Sequence, residues 1–363
     1  MIYRAIGIMS GSSVDGLDIA FTEFTETGGN WNYEILAADC IEYTPEWKQQ
    51  LLNVCNLSAL DYQLLHTAYG RLIGQQINEF IEKYQLHHKV QLIGSHGHTS
   101  FHLPALKTTA QIGDGAAIAA ETKLAVVSDL RALDIACGGQ GAPIVPIGEK
   151  LLFSNYNYFL NLGGIANISI NTLEKYIAFD VCAANRVLNM LAYETGFNYD
   201  DEGKLAASGK INEALLEQLN ALDYYHQPYP KSLPNSFGTD QVFPIIKNAN
   251  LPIEDALRTY TEHICIQLSN AISIQQPATI NQQLLVTGGG AFNKFLVNRL
   301  SEMLAKKNIN VIIPDEKIIQ FKEALIMGLI AVLRWREEAN TIASVTGASQ
   351  ASIGGALWLG AEA

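Results

Sequence analysis

Long apolar runs are missing from this chain. No stretch approaches the ~18 uninterrupted apolar residues that a membrane-spanning helix needs, and no basic region leading into an apolar run opens it as an export signal would. Positive charge is scarce too: 24 Lys and Arg stand against 36 Asp and Glu, a net charge of −12. Such a surface repels phosphate backbones and anionic lipid, so neither nucleic acid nor a membrane is an expected partner, and any bound phosphate has to be held locally. Cysteine is sparse. The five cysteines (Cys40, Cys55, Cys137, Cys182, Cys265) show no CxxC spacing and are odd in number. Both facts argue against a disulfide framework and fit a reducing compartment, so a cytoplasmic location is expected. Also absent are GxxxxGK followed by Ser or Thr, and a GxGxxG that opens a helix, which removes the P-loop and the Rossmann fingerprint. What remains is 48% hydrophobic and 17% charged over 363 residues, ample for buried cores and long enough for two domains.

The order of elements suggests a duplication. Residues 2–9, 17–24 and 32–42 read as consecutive strands joined by GSSVDG and by a turn carrying Gly28-Gly29. Apolar residues at helical spacing predict a helix over 59–84, followed by a strand at 90–95, a helix at 114–122 and a strand at 123–128. After the Pro143 to Pro146 break the order returns: strands at 156–162, 165–170 and 175–180, then a helix at 184–196. A polar, proline-bearing excursion over 223–252 leads to a helix at 253–275, a strand at 283–287, a helix at 292–307, a strand at 309–313 and a helix at 321–338. Two βββαβαβ units imply a duplicated α/β fold with a cleft between lobes, where loops from the two sheets converge. The halves match in element order and hardly in sequence.

Three glycine turns carry the candidate chemistry. Gly11-Ser12-Ser13-Val14-Asp15-Gly16 lies between two strands; its N–H groups could cradle an anion, its serines add donors, and Asp15 could hold magnesium. A plain polar hairpin tip is the alternative. Gly163-Gly164 forms a second such turn, and Gly288-Gly289-Gly290 with Asn293 a third that opens a helix, where phosphate can lie. The run SHGHTSFH, Ser95 to His102, holds three of eight histidines after a strand. His96 and His98 stand one residue apart, as zinc ligands can, but no partner cluster accompanies them, so a substrate-facing loop is expected and no metal site is assigned. Asp180 is expected at the C-terminal tip of a strand just before a helix, where it could take a proton from a nucleophile or simply cap that helix. Arg131 and Asp134 follow the strand that ends near Asp129, and Glu323 lies in the first turn of an apolar helix. An arginine so placed could clamp a carboxylate or phosphate.

Taken together and in this order, MSGSSVDG, GSHGHTSFHLP, GGQGAPIVP, LNLGGIAN, LAASGKIN, TGGGAFN, KEA and VTGA resemble the anhydro-N-acetylmuramic acid kinases, almost end to end. The resemblance implies two ribonuclease H-like, actin-like ATPase domains with an ATP cleft between them, residues 1–152 plus 345–363 forming one and 153–344 the other. It implies ATP and Mg²⁺ as cofactors and phosphorylation of the 6-oxygen of 1,6-anhydro-N-acetylmuramic acid, with hydrolytic opening of the anhydro bridge. The product is N-acetylmuramic acid 6-phosphate, formed during peptidoglycan recycling, and a homodimer is expected. It assigns Asp180 as the base that activates water, with Arg131 and Glu323 as charged active-site partners. Gly11, Ser12, Ser13, Val14, Asp15, Gly16, Leu17 and Asp18 fall in a phosphate segment; Gly163, Gly164, Gly288, Gly289, Gly290 and Asn293 complete the nucleotide site. His96, Asp129 and Asn185 lie on the sugar side.

The chain also departs from the family pattern. FDVCAAN stands where the family usually has FDTGPGN, keeping the acid and losing residues that let the backbone approach the sugar. His98 replaces a usual glutamine, and PKSTG becomes PKSLPNSFG with Lys231 and Ser232 kept. Two alternatives therefore stay open: an actin-fold kinase for a different amino sugar, and a non-catalytic, nucleotide-gated binding protein. A zinc hydrolase built on the histidine run is a third.

Overall fold

The computed structural model describes residues 1–11, 14–172, 175–229, 231–234, 236–273 and 282–361. The chain divides into two compact units, Met1–Ser154 with Phe321–Ala363, and Asn155–Gln320.

The first unit opens with β1 (Ile2–Ser10), β2 (Gly16–Thr27) and β3 (Asn30–Glu42), an antiparallel meander. The long helix Ala59–Tyr84 follows. Ser58 caps it by accepting from the Asp61 N–H, and Leu65, Tyr69, Ile73, Ile77 and Phe80 line its buried face at spacings of three and four. Its end comes at Gln85, in the left-handed region. Then come β4 (Leu92–Leu103), β5 (Thr108–Ile112), the helix Gly115–Thr122 and β6 (Val126–Ser128). β4 lies parallel to β1, and β6 parallel to β4. The main sheet therefore runs third, second, first, fourth, fifth: β3-β2-β1-β4-β6. β12 (Ala356–Trp358) is added antiparallel at the β6 edge, and β5 pairs back on the far end of β4.

The second unit repeats that order. β7 (Tyr158–Leu162), β8 (Ile165–Asn171) and β9 (Tyr176–Ala183) form a meander, and β10 (Gln282–Thr287) and β11 (Ile309–Ile312) lie parallel on the other side of β7. Its sheet is β9-β8-β7-β10-β11. Within the five strands β3-β2-β1-β4-β6 and β9-β8-β7-β10-β11 of the two units, only the second strand of each meander runs against the rest, which is the ribonuclease H-like arrangement. Each has its own apolar core: Ile6, Ile8, Phe21, Tyr69 and Ile93 belong to the first, and Leu160, Ile168, Leu257, Tyr260 and Leu284 to the second.

Several elements differ from the sequence expectation. SHGHTSFH is no loop after a short strand; it forms most of β4. The polar excursion holds the short helices Asp223–His226 and Phe243–Asn248. Unforeseen helices lie at Pro45–Leu52, Lys204–Ser208 and Glu213–Asn220. β5 and β12 are too short, at five and three residues, to carry a readable alternation.

The domain limits differ as well. Residues 321–344 belong to the first unit, not the second, because the helix Glu316–Trp335 beds its backbone on the β1–β4 ribbon. Gly7 and Gly94 are register partners there. A Cβ on Gly7 would stand 1.8 Å from the Ala324 carbonyl oxygen, and one on Gly94 2.2 Å from that of Met327. Bare glycines in two central strands thus make the seat for the helix.

Candidate active site

In the first unit the opening turn delivers acids onto β2. Ser12 and Ser13 lie outside the described residues. The Val14 N–H donates to the Gly11 carbonyl at 3.2 Å, Val14 takes a φ of 55°, and the Asp15 carboxylate accepts from the Gly16 N–H at 3.1 Å. Val14 and Leu17 turn their side chains into the apolar core, so only their main chain can face a ligand. Asp18, the next residue, is half-buried opposite Cys40 on β3. Gly16 leaves room for that sulfur, since a Cβ there would stand 2.5 Å from Cys40 Sγ.

Burial pushes the Asp18 carboxyl up to about 6; the Cys40 thiol, hydrogen-bonded to it, opposes the rise, while Asp15 and Glu323 add repulsion. Burial also raises Glu323. Lys322 and Arg131 oppose that shift, and Glu149 and Asp15 reinforce it. Asp15, Asp18 and Glu323 thus share one electrostatic neighbourhood. Neighbouring Lys322 is committed elsewhere, in a buried ion pair with Glu149 at 2.9 Å.

Arg131 follows β6 and is half-buried. Its Nε donates to His96 Nε2 at 2.8 Å and its Nη1 to the Gly141 carbonyl at 2.7 Å. His96 Nδ1 lies 2.9 Å from the Gly97 carbonyl. His96 is therefore tied to the arginine from a buried position in β4 and is no part of an open loop. His98 instead meets the Ser10 hydroxyl at 3.1 Å, at the end of a buried chain running through Tyr43 to Tyr69. Asp134, which follows the same strand as Arg131, is wholly buried. It accepts from the Gly141 N–H at 2.8 Å and the Thr346 hydroxyl at 2.7 Å, which fixes the loop that carries Gly141. Asp129 is exposed with a φ of 57°, and its carboxylate accepts from the Ser128 hydroxyl at 2.7 Å.

In the second unit Asp180 sits inside β9 and not at its tip. The β8–β9 register skips Val181 between the pairs Ala166–Cys182 and Asn167–Asp180, and such a bulge re-aims the neighbouring side chains. Nor does Asp180 cap the following helix Asn185–Tyr193, whose cap position is Ala184. Its carboxylate accepts from the Leu233 N–H at 2.9 Å, its N–H donates to the Lys231 carbonyl, and its carbonyl accepts from the Tyr224 hydroxyl at 2.6 Å. The segment carrying Lys231 and Leu233 is thus a clamp on Asp180. Burial raises this carboxyl, and the Leu233 N–H partly opposes the shift.

The second and third glycine turns meet within this unit. The Gly163 and Gly164 carbonyls accept the N–H groups of Asn185 and Ala184, satisfying the start of that helix. Asn185 Nδ2 donates to the Leu162 carbonyl at 2.8 Å, and its Oδ1 stands 3.0 Å from where a Gly290 Cβ would be. Gly288 has a φ of 81°, and a Cβ there would meet Asn161 Oδ1 at 2.3 Å. Only a glycine fits. The triplet does not open the helix directly: a 3₁₀ turn, Gly289–Phe292, intervenes, and Asn293 caps the helix Lys294–Ala305 by accepting from the Leu296 N–H at 3.0 Å.

The departures at 181–184 are packing changes. Val181, Cys182, Ala183 and Ala184 are 3%, 0%, 1% and 0% exposed, all within the apolar core. Sequence reasoning missed Cys40, the clamp through Leu233, and the bond from His96 to Arg131. Only the cross-strand pairing of β2 with β3 could have hinted at the first.

Two ribonuclease H-like units in one chain make up the fold of the actin-like ATPases and sugar kinases. A family model described as anhydro-N-acetylmuramic acid kinase matches residues 3–360. Relatives bearing that name include proteins of Photobacterium profundum, 32% identical over 98% of this chain and 99% of that one, and of Vibrio parahaemolyticus serotype O3:K6, 32% identical over 97% of each. Another, from Hydrogenovibrio crunogenus, is 33% identical over 97% of each chain. The chain belongs to the anhydro-N-acetylmuramic acid kinase family.

Proposed function

We propose that this protein transfers the γ-phosphoryl group of ATP to the 6-oxygen of 1,6-anhydro-N-acetylmuramic acid while water opens the anhydro bridge, giving N-acetylmuramic acid 6-phosphate and ADP. Water forms a bond to C1, the C1–O6 bond breaks, and O6 takes the phosphoryl group. Asp180 accepts the proton that the water loses. The observation that carries this reading is the held carboxylate of Asp180. Burial raises its proton affinity, and a main-chain clamp orients it, as a general base requires. The side chains of residues 181–184 pack in the apolar core and leave Asp180 held, and membership of the anhydro-N-acetylmuramic acid kinase family favours the anhydro sugar over a different amino sugar.

Phosphoryl transfer needs positioning and charge neutralisation more than covalent help. Main-chain N–H groups of the Gly11–Asp18 segment and of Gly288–Gly290 are assigned to the nucleotide, and Gly163, Gly164 and Asn293 to its surroundings. Arg131 faces an anionic oxygen of the reactants. Asp15, in one electrostatic neighbourhood with Asp18 and Glu323, is assigned to the magnesium that accompanies ATP; among the described residues no group of three acids, histidines or cysteines is placed to hold a metal ion on its own. When bound, Mg²⁺ would neutralise phosphate charge there. Asp129 and Asn185 are assigned to the sugar side.

A cytoplasmic homodimer belongs to the same proposal. Among the described residues no helix is long and apolar enough to cross a membrane, and Leu52, Leu60 and Leu64 expose apolar side chains in the first unit. Light scattering should give about twice 39.7 kDa; a monomer mass would refute the dimer. The decisive test is Asp180→Asn assayed with ATP, Mg²⁺ and the anhydro sugar. Sugar-phosphate formation should fall about 10²–10⁴-fold with ATP binding retained. Turnover equal to that of the parent would remove Asp180 as the base.

A further inference from the structure

Arg131 carries no hydrogen-bond acceptor, so its Nε can only donate, and His96 Nε2 must offer a lone pair to it. The proton of a neutral imidazole then sits on Nδ1, where the Gly97 carbonyl receives it. One tautomer is thereby forced by the two partners. The backbone makes this possible. Between the pairs Ile8–Ser95 and Ser10–His98, β4 carries one more residue than β1, and Gly97 takes a φ of 70° with no room for a Cβ against the Ile112 carbonyl oxygen, 2.4 Å away. The bulge places the ring toward Arg131.

Among the described residues the guanidinium donates to two acceptors, His96 Nε2 and the Gly141 carbonyl, and both are uncharged. Among the described residues no carboxylate stands in salt-bridge contact with Arg131; Glu323 and Asp134 act on it only through longer-range attraction. A carboxylate in the place of His96 would hold the guanidinium equally well but would consume its charge.

We propose that His96 is the positioning residue of Arg131, a neutral acceptor that fixes the guanidinium while leaving its positive charge and remaining N–H donors for an anionic oxygen of the reactants. This rests on the kinase reading for what the anion is, either the transferring phosphoryl group or the sugar carboxylate. It replaces a direct sugar contact as the role of His96. The charged or titratable groups facing the ring are Arg131, His98 and His102. Burial first, then Arg131, depresses its proton affinity to about 3, so the ring stays neutral throughout the working range.

The closing experiment has two arms. In the first, nitrogen-15 NMR of the histidine rings in the intact protein should show His96 as the Nδ1–H tautomer, unchanged between about pH 5.5 and 8. An Nε2–H tautomer, or titration near its ordinary value of about 6.5, would overturn the proposal whether or not the protein is a kinase. In the second, His96→Ala should lower kcat/KM for the sugar about ten- to a hundred-fold, the loss of one charge-assisted hydrogen bond. His96→Gln, which returns a neutral acceptor, should recover most of it, and His96→Glu should be at least as impaired as the alanine variant. A fall in kcat identifies the phosphoryl group as the anion, and a rise in KM for the sugar with kcat kept identifies its carboxylate. Equal activity of the glutamate and glutamine variants would overturn the proposal. An inactive parent with the expected tautomer would count against the kinase reading and leave the positioning geometry standing.

Discussion

Asp18 shows how folding alters one side chain. Burial holds its carboxyl near 6, above the ordinary carboxylate range, with Cys40 opposing and Asp15 and Glu323 contributing. A carboxyl raised on folding binds its proton more tightly in the native state, so its stabilising contribution is complete below the unfolded value near ~4 and is lost as pH rises through about 6. Asp18→Asn should therefore raise Tm in magnesium-free buffer at pH 8, by about 2–6 °C, with the gap closing toward pH 4. A gap independent of pH would show that Asp18 is not the titrating group. Lys322 is the converse case, an ammonium 4% exposed against a carboxylate equally hidden. Lys322→Met should lower unfolding free energy by about 3–5 kcal/mol in urea titrations, because Glu149 loses its buried counter-charge. At this scale the sequence was informative about identities and silent about partners. Asp180, Arg131 and Glu323 could be named from motifs, whereas the hold of Leu233 on Asp180 and of His96 on Arg131 joins residues 53 and 35 positions apart.

Among elements, the seating of the helix Glu316–Trp335 on β1 and β4 decides most. Its backbone approaches Gly7 and Gly94 so closely that no side chain fits between. Gly7→Ala should destabilise the first unit by about 3 kcal/mol or more, read from the urea midpoint, since the clash is with main chain and not with a flexible side chain. A shift under about 1 kcal/mol would mean the helix can slide, and the seat would not be the constraint described. Long periodic helices such as Ala59–Tyr84 were legible because their buried face repeats every three to four residues. β4 runs further than its apolar start suggests because its polar stretch SHGHTSFH continues the strand, held from His98 onward by pairing with β5, a five-residue strand that periodicity could not reveal.

For the whole molecule, the two units differ in how the chain enters them. The second is one contiguous stretch, Asn155–Gln320, with its own core, while the first is assembled from both ends of the sequence. Excised residues 155–320 should fold alone, giving dispersed amide NMR signals and a cooperative urea transition. A collapsed, non-cooperative product would show that its core depends on the remainder of the chain. Nothing local marks the crossing at Phe321, because it falls inside a continuous helix.

The amino-acid sequence by itself determined the order of the five main strands and the long helices in each unit, the three glycine turns and the family. Each of these is written in short-range patterns, whether a period of two or 3.6, a turn residue or a motif. Tertiary structure alone decided which polar groups meet: the extra residue in β4 at the Gly97 bulge, the one at Val181 in β9, and the helix that returns to the first unit before residue 344. The reason is that a buried hydrogen bond is fixed by strand register and by close backbone approach, and both are set by residues far apart along the chain.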